Sequence, residues 1–141
     1  MMCRGVRGAT TVEVDEPEAV LAATHELFAM LIHANQIHSE DVASIIFTTT
    51  ADICSVYPAK GARQLGWVDV PLICTQEMPV VGSLTRCIRI LLHWNTAKPQ
   101  KDIQHVFLHG ATVLRPDIHS DFSGEIRKLA SEWVVKKLEN Q

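Results

Sequence analysis

The amino-acid sequence predicts an α+β fold in which helices cover a mixed β-sheet. The order of the predicted elements supports this class: a strand, a long helix, a strand, a short helix, then several strands and a final helix. Apolar runs of strand length alternate along the chain with segments of helical periodicity. The length of 141 residues suits one domain. No internal repeat, low-complexity tract or linker interrupts the pattern.

The first predicted strand spans residues 1–14. Because side chains alternate between the two faces of a strand, Gly5, Arg7, Ala9 and Thr11 share one face. A large cation therefore stands among side chains too small to cover it. We expect empty space around the Arg7 side chain.

A long helix is predicted over residues 15–36. Asp15 is expected to cap its N-terminus, with Glu18 at capping-box distance and Pro17 in the tolerant first turn. Apolar residues then recur at helical spacing, which predicts a stripe facing the core.

The middle of the chain predicts three strands and one short helix. The strands are "ASIIFTTT", "VPLICTQEM" and "SLTRCIRILLHWNT". The helix "PAKGARQLG" begins near Pro58 and is stopped by Gly66. The third strand is ambiguous, because a helix would place Arg86, Arg89 and His93 on one side. The preceding "MPVVG" and the apolar run favour a buried strand.

The last third predicts a strand and turn, then a helix. The segment "HVFLHGATVLRP" forms the strand and turn, which Pro116 ends. From about Ser123, apolar residues recur at helical spacing and predict an amphipathic C-terminal helix. Its predicted apolar stripe comprises Ile126, Leu129, Ala130, Trp133, Val134 and Leu138.

Charge and composition narrow the classes of partner. The net charge of −3 and pI of about 6.1 argue against nucleic acid as the main partner, since phosphate binding needs a basic surface. No signal-peptide pattern and no apolar run of about 18 residues occur, so we expect no membrane association. The four cysteines contain no Cys-x-x-Cys pair, so zinc and redox motifs lack support. Without a signal peptide, we expect reduced thiols in the cytoplasm.

Arginines are the most informative candidates for a functional site. The four candidates are Arg7, Arg63, Arg89 and Arg115. Arg89 interrupts the apolar run "CIRILL", and a buried guanidinium needs an anionic partner or several acceptors. That partner could be a carboxylate of the same chain or an anionic ligand. Glu77, three residues after Cys74 in "CTQEM", could likewise pair with an arginine or accept a hydrogen bond from a substrate hydroxyl.

Seven histidines raise the question of a metal site. On a strand, His105 and His109 would share a face but lie roughly 13 Å apart, too far to bind one ion. No third ligand stands at a suitable spacing, and "GVRG" lacks the frame of a phosphate-binding loop. The sequence therefore predicts no metal site.

Four ordered blocks resemble the AroH class of chorismate mutases, the small monofunctional homotrimeric type. The blocks are "RGVRGATTVE", "YPAKGARQLGW", "CTQEMPVVGSLTRCIRILL" and "HVFLHGATVLRPD". The resemblance spans roughly residues 1–119. It implies a trimer with a pseudo-α/β-barrel core and active sites in the clefts between subunits. It also implies a cytoplasmic isomerase that converts chorismate to prephenate for phenylalanine and tyrosine synthesis, without a cofactor.

The resemblance assigns roles to individual positions. Arg89 matches an arginine that donates to the ether oxygen and a carboxylate of chorismate, and Arg7 matches an arginine that binds a carboxylate. Glu77 matches the glutamate that accepts from the ring hydroxyl, and Cys74 lies beside it with the same partner. These four are the candidate catalytic residues. The other candidate substrate-binding residues are Tyr57, Lys60, Arg63, Ile73, Thr75, Gln76, Phe107 and Arg115.

The chemistry that the resemblance implies agrees with the residues. Chorismate is a dianion, so several cations are needed. Its rearrangement is a unimolecular [3,3] shift, which requires neither a nucleophile nor a proton transfer. The enzyme holds a chair-like conformer and stabilises the charge that grows on the ether oxygen. The alternatives are a non-catalytic trimeric module that binds an aromatic-pathway acid, and an imine deaminase of the RidA type, which the "CTQEM" and "CIRI" blocks fit poorly.

Two features depart from the family pattern. Phe107 stands where the family commonly has a tyrosine, and we expect the missing hydrogen bond to weaken binding by around 1 kcal/mol. The chain also continues past the resemblance, which divides it into a domain of residues 1–119 and a helical extension of residues 120–141. We expect the extension to pack on the same domain or on a neighbour, as a stabilising cap or as a lid.

Overall fold

The computed structural model describes residues 1–118 and 122–140. Its centre is a five-stranded sheet with the strand order β3-β2-β4-β1-β5. The strands are β1 (Met2–Thr11), β2 (Val42–Thr49), β3 (Leu72–Gln76), β4 (Cys87–Thr96) and β5 (Val106–Phe107). The helices are α1 (Pro17–Asn35), α2 (Ala59–Gln64) and α3 (Gly124–Glu139). Since β4 runs antiparallel to β1 and β2 while two other pairs are parallel, the sheet is mixed and the predicted α+β class is confirmed.

One face of the sheet packs against α1. Side chains alternate along β1, and its inward positions include Val6 and Gly8. Gly8 lies so close to α1 that an added Cβ would stand 2.9 Å from Leu31 Cδ1 and 3.1 Å from Leu27 Cδ1. This glycine therefore allows the strand and the helix to approach each other, and it lies on the face opposite Arg7.

The other face of the sheet is only partly covered. Ile46 and Leu91, which lie opposite each other in the β2–β4 pair, are half-buried, and Ile73 beyond them is 59% exposed. At the β1–β5 end a short 3₁₀ segment, His109–Leu114, covers the ring of Phe107. An apolar sheet face that stays open in the middle is available for contact with another molecule.

The ambiguous segment around Arg89 is a strand, as the sequence favoured. β4 contributes ten residues and pairs on both sides, so it is a central strand of the sheet. The stop of α2 is also confirmed, because Gly66 adopts a left-handed backbone with φ of +94°.

The prediction that Asp15 caps α1 is wrong. Glu16 occupies the N-cap position and its side chain makes no capping hydrogen bond. Asp15 instead accepts hydrogen bonds from the backbone N–H groups of Cys54 and Ser55 at 3.0 and 3.2 Å. A hydrogen bond from the Ser55 side chain, together with these backbone contacts, holds the pKa of Asp15 below its usual value. Its carboxylate ties the loop before α1 to the loop after β2.

The predicted strand after residue 104 is much shorter than expected. β5 has two residues, because His109 adopts a left-handed backbone with φ of 52° and the chain continues as a 3₁₀ segment. His105 and His109 therefore do not share a strand face. His109 instead lies with Nε2 2.8 Å from Oε1 of Glu26 on α1.

The C-terminal helix forms as predicted and packs on α1 of the same chain. Ala130 is buried, and the Trp133 ring meets the His33 ring edge-on at 5.3 Å. The predicted stripe is too wide, because Leu129 is 48% exposed and Leu138 40% exposed. The boundary expected at residues 119 and 120 lies outside the described residues, so the division into two parts stays a prediction. Among the described residues, no helix has the length and apolar character needed to cross a membrane.

Candidate active site

Arg89 and Glu77 form an ion pair on the partly covered face of the sheet. Arg89 is the third residue of β4 and lies opposite Thr48 of β2 and Ala9 of β1. Its Nε stands 3.4 Å from Oε1 of Glu77, and the two side chains are 25% and 24% exposed. The partner that the sequence required for Arg89 is thus a carboxylate of the same chain, and the pair remains accessible.

The Arg89 side chain keeps an unused donor. Its Nε atom is buried and has no hydrogen-bond acceptor within residues 1–118 and 122–140, because the contact with Glu77 lacks hydrogen-bond geometry. An unsatisfied buried donor is costly unless a ligand supplies the acceptor. The Arg89 side chain as a whole is 25% exposed, so an anionic oxygen can reach its guanidinium.

Glu77 is fixed by the end of β2. Its backbone N–H donates to the carbonyl of Thr49 at 2.8 Å. Its Oε1 accepts a hydrogen bond from the Thr48 hydroxyl. Both contacts of the carboxylate, with Thr48 and with Arg89, are made by Oε1, and Oε2 has no hydrogen-bond partner within the described part of the chain. One carboxylate oxygen is therefore held by the protein and the other remains available to a ligand.

Arg7 lies on the same sheet face, supported by Phe107. The Arg7 guanidinium carbon stands 5.6 Å from the centre of the Phe107 ring, a cation–π contact. Phe107 itself is 1% exposed and packs on Ala9 and Ala111. The expectation of empty space around Arg7 is wrong on this side, because the ring of Phe107 occupies it.

His105 fixes the backbone at Arg7. Its Nδ1 accepts a hydrogen bond from the Arg7 N–H at 3.0 Å, so this nitrogen carries no proton. Burial lowers the pKa of His105, and the charges of Arg115 and Arg7 lower it further. Arg115 is held by a two-point ion pair with Asp117, at 3.0 and 2.9 Å, which raises the arginine's pKa. Three cationic or potentially cationic groups thus gather at the β1–β5 end.

A second group of candidate residues lines a cavity at the opposite edge of the sheet. The cavity has a volume of about 670 Å³, enough for a small organic molecule. Its lining includes five of the predicted site residues, Tyr57, Lys60, Cys74, Thr75 and Gln76. The remaining candidates, Arg63 and Ile73, are exposed near this edge.

Cys74 and Glu77 are directed to different places within the subunit. Cys74 lies opposite Phe47 in the β2–β3 pair, on the side of the sheet that faces the helices, and it lines the cavity. Glu77 reaches Arg89 on the other side. Burial raises the pKa of the Cys74 thiol, so the group is neutral near pH 7. The role of Cys74 beside Glu77 stays a prediction.

Two residues of the site have no counterpart in the sequence-based candidates. Thr48 contacts Glu77, and His105 was considered only as a metal ligand. Their contacts depend on strand register and chain crossing, which periodicity does not reveal. Across the described ranges, no three His, Cys, Asp or Glu side chains gather in a group that could hold a metal ion.

Comparison with known proteins identifies close relatives. A family profile described as chorismate mutase type I matches residues 3–118. The chain is 52% identical over 120 residues to the chorismate mutase AroH of Thermus thermophilus, covering 84% of this chain and 98% of the relative. It is 46% identical over 119 residues to the chorismate mutase AroH of Bacillus subtilis strain 168, covering 84% and 94%. A solved chorismate mutase from Clostridium thermocellum superposes with a TM-score of 0.76 at 43% identity, covering 77% and 97%.

Proposed function

The chain belongs to the chorismate mutase type I family, and we propose that it works in clefts between the subunits of a homotrimer. As a chorismate mutase, it is an isomerase that converts chorismate to prephenate. In that reaction the ether C–O bond breaks while a C–C bond forms, and no atom enters or leaves.

Arg89 is the residue on which the mechanism depends. The observation that carries this assignment is its buried Nε, which has no acceptor among the described residues and lies beside an accessible ion pair. As the C–O bond breaks, negative charge grows on the ether oxygen. A guanidinium held in place by the sheet and by Glu77 stabilises that charge without having to reorganise. Glu77 accepts a hydrogen bond from the ring hydroxyl through its free oxygen.

The other cations bind the two carboxylates of the substrate. Arg7 is steadied by the ring of Phe107 and by the backbone contact with His105, so it is ordered before the substrate arrives. Arg115 lies near the same end of the sheet. Binding both carboxylates restricts chorismate to the compact conformer from which the bond can form.

The separation of the two groups of residues supports a site between subunits. Arg7 lies on β1, whereas the cavity is lined by the ends of β2 and β3 and by the loop after β2; β3 is three strands away from β1 in the sheet. Three strand spacings amount to about 14 Å, which is too far for one small dianion to bridge. A neighbouring subunit that covers the open sheet face would bring its own cavity against this Arg7 and Arg89.

Mixed trimers test this arrangement. Arg7→Ala removes the cation at one edge, and Lys60→Glu places a repelling charge in the cavity at the other. Each variant alone is expected to be nearly inactive. When the two are unfolded together and refolded, about one quarter of the clefts would combine an intact Arg7 with an intact Lys60, so activity should return to that level. If the refolded mixture forms trimers but regains no activity, the whole site lies in one subunit.

We also propose that the enzyme acts in the cytoplasm and needs no cofactor. All four cysteines are unpaired, which suits a reducing compartment. The rearrangement moves electron pairs within one molecule, so it requires no electron carrier or group donor. Binding of chorismate without turnover by the purified protein would favour the alternative, a binding module for an aromatic-pathway acid.

A further inference from the structure

Thr48 lies between the two charged groups that the proposed reaction uses. It is opposite Arg89 in the β2–β4 pair and opposite Thr75 in the β2–β3 pair. Its hydroxyl donates a hydrogen bond to Oε1 of Glu77. The side chain is half-buried, on the same sheet face as Arg89.

Two neighbouring residues of β2 hold Glu77 at two points. The Thr49 carbonyl accepts from the Glu77 backbone N–H at 2.8 Å and fixes the backbone. The Thr48 hydroxyl then fixes the carboxylate, because a glutamate beyond the end of a strand otherwise rotates freely about its side-chain bonds. Together these contacts determine which carboxylate oxygen remains for a ligand.

The same hydrogen bond limits how closely Glu77 approaches Arg89. Oε1 accepts its hydrogen bond from the Thr48 hydroxyl, and the Arg89 Nε stands 3.4 Å from the same oxygen without hydrogen-bond geometry. Without the hydroxyl, Arg89 is the strongest partner left for the carboxylate, and a two-point ion pair becomes favourable. Such a pair would occupy the donors that the substrate needs.

We infer that Thr48 is a positioning residue for the mutase reaction, which orients Glu77 toward the substrate hydroxyl and keeps Arg89 available to the ether oxygen. This role rests on the proposed function of Arg89 and Glu77. Thr48 acts through Glu77 and does not itself need to touch the substrate.

Thr48→Val tests the role, because valine keeps the β-branched shape and replaces the hydroxyl with a methyl group that cannot donate a hydrogen bond. We expect kcat/KM to fall about tenfold, the effect of losing a hydrogen bond to a charged group, with most of the loss in kcat. Thr48→Ser retains a donor and should stay within about twofold of the unmodified enzyme. The matched control is Ser44→Ala, which removes a hydroxyl from the same face of β2 where it contacts His93 instead of Glu77.

A double-mutant cycle with Glu77→Ala separates positioning from a general structural effect. If Thr48 acts through Glu77, adding Thr48→Val to Glu77→Ala should change kcat/KM by less than about twofold. The inference would be overturned if Thr48→Val lowered kcat/KM equally in the unmodified enzyme and in Glu77→Ala. An unchanged kcat/KM in Thr48→Val alone would also overturn it. Failure of the proposed function would look different, because the unmodified protein itself would not consume chorismate or would not depend on Arg89.

Discussion

The Nε atom of Arg89 lies 3.4 Å from Oε1 of Glu77, and the pair joins the central strand β4 to the end of the edge strand β3. A guanidinium in the middle of a sheet needs a counter-charge, and Glu77 provides it. Because each side chain is about a quarter exposed, at 25% and 24%, a ligand can still reach both. The ion pair thus balances the charge of Arg89 and leaves both side chains accessible to a substrate.

Gly8→Ala is expected to destabilise the fold. The added methyl group would meet Leu31 Cδ1 at 2.9 Å and Leu27 Cδ1 at 3.1 Å, so these two leucine side chains would have to shift within the packed interface of β1 and α1. We expect the free energy of unfolding to fall by about 1–3 kcal/mol, measured by urea denaturation. Gly5→Ala is the control, since its nearest neighbour is Leu91 Cδ1 at an ordinary 3.5 Å. Equal stability of the two variants would contradict the close approach.

Phe107→Leu is expected to weaken substrate binding while the core stays filled. Leucine keeps the apolar contacts but removes the ring beneath the Arg7 guanidinium. The lost cation–π contact predicts a rise in KM of about fivefold, corresponding to about 1 kcal/mol. Phe107→Tyr keeps the ring and adds the hydroxyl common in the family, so its KM should not exceed that of the unmodified enzyme. A Leu variant with unchanged KM would show that Arg7 needs no aromatic support.

Stability is expected to decrease in mildly acidic solution because of two histidines. Burial is the main cause that lowers the pKa of both His25 and His105 below the ordinary value of 6.5. Their neutral forms are therefore favoured in the native state. The two neutral histidines contribute fully to the free energy of unfolding above pH 6.5. This contribution is lost as the pH falls from 6.5 through their lowered pKa values in the native state.

Urea denaturation between pH 8 and pH 5 measures this dependence. The urea concentration at which half of the protein is unfolded should fall on acidification. His105→Asn should make this pH dependence less steep, because it removes one of the two histidines. A midpoint that is constant or rises over this range would contradict the assignment of neutral histidines.

Trp133→Ala is expected to lower stability and to leave turnover unchanged. The ring is half-buried between His33 of α1 and the Lys137 side chain, so its loss should cost about 1–2 kcal/mol. Leu129→Ala, on the exposed side of the same helix, should change stability by less than about 0.5 kcal/mol. Altered kcat or KM in a variant of undiminished stability would instead favour the lid interpretation of α3.

Local sequence patterns predicted most of the fold. The helical period of α1 and the β-branched residues of β2 identify elements whose burial follows directly from the pattern. Capping was less predictable. Asp15 has the right residue type for a cap, but the backbone N–H groups of Cys54 and Ser55 compete for its carboxylate. That competition depends on a loop about forty residues away in the chain.

The site was only partly predictable for a related reason. Arg89 stands out because a charge interrupts an apolar run. Thr48 and His105 carry no such signal, since each acquires its role from strand pairing or chain crossing with distant residues. The position of Phe107 beneath Arg7 likewise follows from the parallel pairing of β1 with β5, which no local period encodes.

The most direct test follows the loss of chorismate's ring-diene absorbance with purified protein, comparing the unmodified enzyme with Arg89→Ala. We expect rapid conversion to prephenate as the only product, and a kcat at least about a hundredfold lower in the variant, the size of losing one preorganised donor to a developing oxyanion. A folded Arg89→Ala variant with an unchanged kcat would contradict the central role of this guanidinium.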